Sequence, residues 1–336
     1  MKNILIAVLL PVLCFVSDLA AQSKVGTTAA NFLVIPVGPR ATGMGGAFVA
    51  VANDVTTAYW NAGGLSRLAA NEFSVSHTGW LVGTSVNWLG LAVKLDDDNA
   101  LAFTVHQLDY GKEEITTTAQ PNGTGQQWDA QDIAFGISYA RTLSDRFSIG
   151  GTAKYVSQRI WNENASAFAL DVGLLFRTQY NDLKIGMNIA NFGTDMKLDG
   201  KDLLQPVDID PAHAGNNDNI VATINTKPWT LPLLFTVGVG MDALHTETFV
   251  WTVAGDAVYP NNQTAYVNVG TELVWNGMIA LRTGYNSLFK ETPQEGLSAG
   301  IGLRYSLGTV AATIDYSYMD YGIFNAISRY SFTVGF

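Results

Sequence analysis

From about residue 71 onward the chain alternates apolar and polar residues one by one, and its charged residues keep to one of the two resulting faces. A period of two is the signature of a strand that meets different surroundings on its two sides. Ile133, Phe135, Ile137 and Tyr139 oppose Asp132, Ala134, Gly136 and Ser138; Leu183, Ile185, Met187 and Ile189 oppose Lys184, Gly186 and Asn188. Lys154, Asp171, Lys184, Asp256, Glu272, Arg282, Arg304, Asp315 and Arg329 all fall opposite an apolar face. On a lipid-facing position near the bilayer centre, Arg or Lys costs about 2–4 kcal/mol, which explains such strict avoidance. The segments are about as long as a tilted membrane-crossing strand, ~9–11 residues. Tyr139, Trp251 and Trp275 stand near strand ends, where interfacial aromatics belong.

After the first residues no run of ~20 apolar residues occurs, so a membrane helix is not expected. Lipid offers no partner to open backbone groups, so strands that cross it must close on themselves. The connections also alternate in length. Short ones follow Leu95, Arg141, Thr178, Met241, Trp275 and Tyr305; longer ones follow Tyr110, Met196 and Asn286, with 111–128 and 199–227 the longest. The predicted fold is therefore all-β: a transmembrane antiparallel up-and-down β-barrel of about fourteen strands, with turns on the periplasmic side and loops outside. Composition agrees. Charged residues make up 14% of 336 residues, well under the roughly 25% of soluble domains, and the net charge of −10 argues against nucleic acid as a partner.

Residues 1–21 read as a secretory signal: Lys2, an apolar stretch from Ile4 to Val16, and Leu19-Ala20-Ala21 before Gln22. Cys14 lacks the small preceding residue expected of a lipidated cysteine, and if it leaves with the signal no thiol chemistry remains. Residues 22–70 form a separate unit, and residues 71–336 the barrel. Within the former, 31–65 abandons the alternation. Gly43, Gly45 and Gly46 permit positive φ and close backbone approach, Pro36 and Pro39 forbid long regular structure, 47–58 is expected to form a short helix, and Asn61-Ala62-Gly63-Gly64 a tight turn. Such a segment suits a lumenal plug; an ordinary loop-rich arm is the alternative.

No catalytic site emerges, and the chain is not expected to be an enzyme. Gly296-Leu297-Ser298-Ala299-Gly300 matches G-x-S-x-G, but that motif needs a strand-to-helix elbow and here lies within an alternating strand. His77, His106, His213 and His245 are scattered without metal-ligand or triad spacing. Asp199, Asp202, Asp208, Asp210 and Asp218 lack the ordered spacing of a calcium loop, so neither metal nor cofactor is expected. Asp132, Asp171 and Glu272 are expected in lumenal ion pairs with Lys154, Lys184 and Arg282.

The stretch Val37-Gly38-Pro39-Arg40-Ala41-Thr42-Gly43-Met44-Gly45-Gly46-Ala47-Phe48, with Phe32-Leu33 before it and Tyr59-Trp60-Asn61-Ala62-Gly63-Gly64-Leu65 after it, resembles the start of the PorV/PorQ family. These are outer-membrane proteins related to the FadL-type transporters of hydrophobic solutes. The resemblance continues at Asn191-Phe192-Gly193-Thr194-Asp195-Met196, Asn268-Val269-Gly270-Thr271-Glu272, Leu281-Arg282-Thr283-Gly284-Tyr285 and Asp315-Tyr316. One departure stands out: Ala62-Gly63 occupies the place of the family's Pro-Ala. The resemblance implies a FadL-like barrel in the bacterial outer membrane whose N-terminal segment plugs the lumen through Gly38, Arg40, Gly43, Gly45, Gly46, Asn61 and Gly64. It also implies type IX secretion: binding the C-terminal signal domains of cargo proteins, alongside translocon or attachment-complex proteins, and delivering cargo for surface attachment. Asp208, Ile209, Asp210, Ile220 and Val221 in the longest loop are the candidate docking residues, because apolar anchors beside charges suit a protein contact. Passive transport of hydrophobic small molecules is the alternative, and a structural porin-like role a third.

The last alternating segment places Tyr330, Phe332, Val334 and Phe336 on the lipid-facing side. An alternating strand ending in Phe resembles the signal by which outer-membrane proteins are recognised for insertion. Deleting Phe336 is expected to lower the amount of assembled barrel in the outer membrane, read as heat-modifiable gel mobility. Unchanged amount and mobility would count against that reading.

Overall fold

The computed structural model describes residues 26–210, 212–213, 217, 219–290 and 293–336; the expected signal segment and Cys14 lie outside the described residues. Seven strands precede the longest connection: β1 (Glu72–Gly79), β2 (Ser85–Lys94), β3 (Asn99–Glu114), β4 (Gln127–Ser144), β5 (Phe147–Ile160), β6 (Glu163–Arg177) and β7 (Lys184–Gly193). Seven follow it: β8 (Leu234–His245), β9 (Phe249–Pro260), β10 (Tyr266–Trp275), β11 (Ile279–Leu288), β12 (Leu297–Leu307), β13 (Val310–Asp320) and β14 (Ala326–Gly335). Each pairs antiparallel with its neighbours in sequence, and β1 pairs with β14 from Glu72↔Gly335 to Thr78↔Arg329. The ring is closed, with fourteen strands and the expected up-and-down order. Phe135, Ile137, Phe168, Leu170 and Leu281 stand exposed on the outside, while Ser138, Asp171, Asp256, Glu272 and Arg329 are buried within.

One end carries the short connections 95–98, 145–146, 178–183, 246–248, 276–278 and 308–309. The other carries 80–84, 115–126, 194–233, 261–265, 289–296 and 321–325, and is the outward-facing end by the rule that outer-membrane loops are the longer ones. A two-residue turn, 161–162, also lies there. Several strands exceed their expected limits. β3 runs on to Glu114 and β4 begins at Gln127, so the loop is 115–126 rather than 111–128. β4 turns after Ser144 rather than Arg141, β8 after His245 rather than Met241, and β12 after Leu307 rather than Tyr305. Past the hydrocarbon both faces meet water; apolar alternation ends there while backbone pairing continues.

Residues 28–68 lie against the inward faces of the strands and run the length of the lumen. Near the long-connection end, Ala29 N donates to Thr230 O at 2.9 Å, and Asn262 Nδ2 donates to Thr28 Oγ1 at 2.8 Å. Near the other end, Arg67 Nε donates to Ser148 Oγ at 3.0 Å and its Nη1 to Asp145 O at 3.2 Å. Between them lie short helical turns at Asn31–Val34, Pro39–Gly43, Thr57–Trp60 and Ala62–Arg67. The helix expected over 47–58 is absent apart from the Thr57–Trp60 turn. The amides of Phe48 and Val49 bond instead to Asp256, and the carbonyl of Val49 to Asn61, so wall contacts override the Ala-rich composition. The expected tight turn at 61–64 is the start of a 3-10 helix, Ala62–Arg67, with the Asn61 side chain accepting from Gly63 N at its head.

Backbone meets backbone at several points along this contact. Gly45 has φ 65°, and a Cβ there would lie 2.7 Å from Tyr285 N and 2.8 Å from Val269 O. The wall reciprocates, since Cβ atoms on Gly270 or Gly284 would strike the Met44 peptide. Gly45→Val therefore combines a disfavoured φ with a clash, a cost on the order of 1–3 kcal/mol from φ alone. The variant barrel is expected to assemble while residues 31–65 become protease-sensitive. Gly79→Ala, where a Cβ meets nothing within 4 Å, should leave protection unchanged. Equal protection in Gly45→Val and parent would show that this approach does not hold the segment.

Candidate functional site

The most constrained polar site is built where Pro39–Gly43 approaches β10, β11 and β13. Gly38, at φ 79°, turns the chain so that this short helix begins at Pro39. Arg40 then reaches Glu272 with two parallel bonds, Nε to Oε2 at 3.0 Å and Nη2 to Oε1 at 2.7 Å. Its Nη1 donates to Asp54 Oδ2 at 3.0 Å and Asn53 Oδ1 at 2.5 Å. From the wall, Arg282 Nε donates to Glu272 Oε2 and its Nη1 to Asp315 Oδ1, both at 2.6 Å. Two guanidinium groups thus sit among three carboxylates, joining the N-terminal segment to three strands. Burial opposes the charge on Arg40, but Glu272 and Asp54 outweigh it and hold its guanidinium above its ordinary value. Removing one member of such a buried network leaves an unpaired charge, typically a loss of about 3–5 kcal/mol.

The neighbouring contacts are neutral or backbone-directed. Asp256 Oδ2 accepts the amides of Phe48 at 2.7 Å and Val49 at 2.9 Å. Asn286 Nδ2 donates to Gly45 O at 3.0 Å, and Thr42 and Ser317 hydroxyls meet at 2.8 Å. Ser298, the serine of the G-x-S-x-G match, is buried in β12 and donates to Gly43 O at 3.2 Å; it anchors the segment and has no base beside it. Asn61 Nδ2 donates to Val49 O at 2.8 Å and Leu174 O at 2.9 Å, a seat available because Gly173 has no side chain in the way. Gly43 faces Gly300, Gly46 faces Asn268 and Asn286, and Gly64 packs against Ala52 and Thr57. Gly38, Arg40, Gly43, Gly45, Gly46, Asn61 and Gly64 are thus all placed along the segment's contact with the wall or its own turns.

Other expected pairings come out differently. Lys154 pairs with Asp171 at 2.8 Å, as anticipated, but Lys184 pairs with Asp242 at 3.5 Å. Among the described residues Asp132 meets no cation; it accepts from Tyr110 Oη and Gln158 Nε2, both at 2.9 Å. Arg304 lies on the inward side as expected, but at the short-connection rim, where it is exposed and lines the vestibule described below. The wider alternation foretold which side these groups occupy but not their partners, which depend on strand register. Asp256 as acceptor for two consecutive amides was missed; a carboxylate on an inward position with no cation opposite it is the signal that marks it. His106 is buried against the rings of Phe32 and Tyr59, His77 bonds Asn87, and His213 bonds Asp210. Among the described residues no three His, Cys, Asp or Glu side chains are grouped to hold a metal; Asp218 lies outside them.

Several spaces lie beside the segment; one, of about 340 Å³, is lined by Asn53, Arg67, Lys94, Asp97, Arg177 and Lys184 among others. At the short-connection end a vestibule of about 340 Å³ is lined by Arg40, Asp54, Glu72, Glu272, Arg282 and Arg304 among others. Deeper, a cavity of only about 60 Å³ lies between Leu33, Tyr59, Trp60, Lys154, Asp171 and Asn191. Far from these, the candidate docking residues stand in the long connection, around a small antiparallel pair, Leu204–Val207 with Ile220–Thr223. Ile209 is 73% and Val221 69% exposed, Asp210 is exposed, and Asp208 and Ile220 are partly buried. The structure does not bring this group together with the lumenal network.

Comparison with known proteins bears on this geometry. In fold the chain is similar to the CymD monoaromatic hydrocarbon channel (TM-score 0.57, 11% identity, covering 91% of this chain and 97% of that one). It is likewise similar to the toluene transporter TbuX of Ralstonia pickettii (TM-score 0.55, 11% identity, 89% and 97% covered) and to a Pseudomonas aeruginosa FadL homologue (TM-score 0.51, 11% identity, 89% and 98% covered). No curated protein matches in sequence. At such identity the likeness is one of fold: a FadL-like β-barrel. The model of the type IX secretion system protein PorV matches residues 18–227, more than half of the chain and all of the N-terminal segment analysed above, and the chain belongs to that family.

Proposed function

We propose that this barrel serves type IX secretion by binding exported proteins, through their C-terminal signal domains, at its long-connection end, and that residues 28–68 act as a plug barring the lumen. One observation carries the reading: the segment bonds to the wall from the long-connection end to the short-connection end, and the cavity deep beside it holds only about 60 Å³. Small-molecule sites usually occupy ~300–1,000 Å³, well above this deep cavity, which speaks against a hydrophobic solute resting there. The larger vestibule places the charged groups of Arg40, Asp54, Glu72, Glu272, Arg282 and Arg304 in a mixed wall, a lining that favours such a solute less than an apolar one. Contact with a partner then falls to the loops. Ile209, Ile220 and Val221 provide apolar anchors, and Asp208 and Asp210 provide charge for steering. Outer-membrane lipid surrounds the rest, and other secretion or attachment proteins are further partners of the same pathway.

Replacing residues 199–227 by a tight turn is expected to leave the barrel assembled while capture of cargo C-terminal domains in a pull-down falls to background. Equal capture by parent and shortened barrel would remove the loop from the mechanism. If neither barrel captures cargo and the purified parent carries a bound hydrophobic molecule, transport replaces secretion as the function.

A further inference from the structure

The barrel wall is uneven. Strands β3 to β6 contain 16, 18, 14 and 15 residues, whereas β1 and β2 contain 8 and 10. The tall side rises beyond its neighbours at the long-connection end, and the long connection leans against its top, with Asp199–Gly200 pairing onto Glu163 and Asn164 of β6. Between wall and connection lies an open groove of about 590 Å³. Its apolar lining includes Trp128, Ile160, Trp161 and Leu203, and its carboxylates are Glu114, Glu163 and Asp202.

Two features set this groove apart from an ordinary wetted rim. The first is charge. Glu163 Oε1 accepts from Asp202 N at 2.9 Å, Asp202 Oδ2 from Asn162 Nδ2 at 2.8 Å, and Glu114 Oε1 from Gly125 N at 3.0 Å. These bonds orient the carboxylates without neutralising them, and among the described residues none of the three enters an ion pair. Nearby Asp129, by contrast, is matched by Arg159 at 2.8 Å. The second is Trp161. It sits in the two-residue turn between β5 and β6 with φ 50°, a conformation that glycine and asparagine adopt readily and a bulky residue does not. Its indole is nonetheless held 48% exposed in the groove.

We propose that this groove binds a segment of polypeptide carrying Lys or Arg among apolar residues, the carboxylates meeting the cations and the indoles taking their aliphatic stems and apolar neighbours. The inference rests on the reading above only for the identity of the partner, an exported protein. Charge decides between occupants: indoles alone suit a neutral sugar, but three unmatched carboxylates converging with them suit a cation.

The test uses the full-length barrel in detergent and a fluorescein-labelled decapeptide alternating Lys with Val or Phe, followed by fluorescence polarisation. Controls are the same peptide with Glu for Lys, and a neutral oligosaccharide. Binding of the Lys peptide is expected to weaken about tenfold or more in Glu163→Gln/Asp202→Asn and in Trp161→Ala. It should be unchanged in Asp96→Asn/Asp97→Asn at the opposite end, which carries the same change of charge. Heat-modifiable mobility verifies that each variant assembles. Equal loss in both double variants, no loss in either, or binding of the oligosaccharide alone overturns the proposal. Peptide binding that depends on the groove while no barrel captures cargo would refute the secretion reading and leave the groove standing. Cargo capture with peptide binding indifferent to these residues would do the reverse.

Discussion

Hydrocarbon cannot hydrogen-bond a peptide group, and the architecture follows from that restriction. Every strand must find two neighbours, so β1 returns to β14 and the sheet has no edge within the membrane. Closure at fourteen strands creates a new problem, because side chains pointing inward fill the interior of a ring of about eight strands but not a wider one. Here residues 28–68 pack against the inward faces of the strands. That choice brings a peptide backbone into a confined interior, where its amides and carbonyls again require partners. The polar residues of the inner wall are therefore as much a consequence of lipid outside as the apolar ones on the outer face.

Glycine is what lets the two backbones meet. Met44 and Gly45 lie so close to β10 and β11 that side chains on Gly270 and Gly284 would strike the Met44 peptide, and Asn61 occupies the ground a Cβ on Gly173 would take. Once that approach is made, Asp256, Asn286 and Ser298 can serve the segment's backbone directly. The Arg40–Glu272–Arg282–Asp315 network adds orientation rather than area, since two rigid guanidinium forks sharing one carboxylate admit few geometries.

Much of this is legible in the sequence. Phe135, Ile137 and Phe168 on one side and Asp171, Glu272 and Arg282 on the other revealed the barrel, because lipid and lumen impose opposite chemistry on adjacent residues. The charge partners were not legible, since one residue of register changes every neighbour: Lys184 finds Asp242 across β7 and β8, and Asp132 finds Tyr110 and Gln158 instead of a cation. Strand ends were misjudged wherever pairing outlasts the bilayer, as at Lys112↔Asp129 and Glu114↔Gln127. The helix expected over 47–58 failed for a different reason: an Ala-rich composition expresses a local preference, whereas the wall holds Phe48, Val49 and Asn61 by bonds to residues more than 100 positions away.

A FadL-like ring therefore does not decide by itself between conducting a solute and holding a partner; what fills and crowns it does. In this chain the filling and the crown are joined. The β-bridge between Thr28 and Thr230 and the bond from Ala29 N to Thr230 O tie the start of the N-terminal segment to the long connection. The same connection pairs with β6 at its other end, beside the acidic groove. Met196 and Trp229 exchange backbone bonds across its base, at 2.8 Å in both directions. A force or a bound partner acting on the connection thus reaches the segment through hydrogen bonds rather than through water. Contacts at the outer mouth and packing against the inner wall are thus joined by one continuous set of backbone hydrogen bonds.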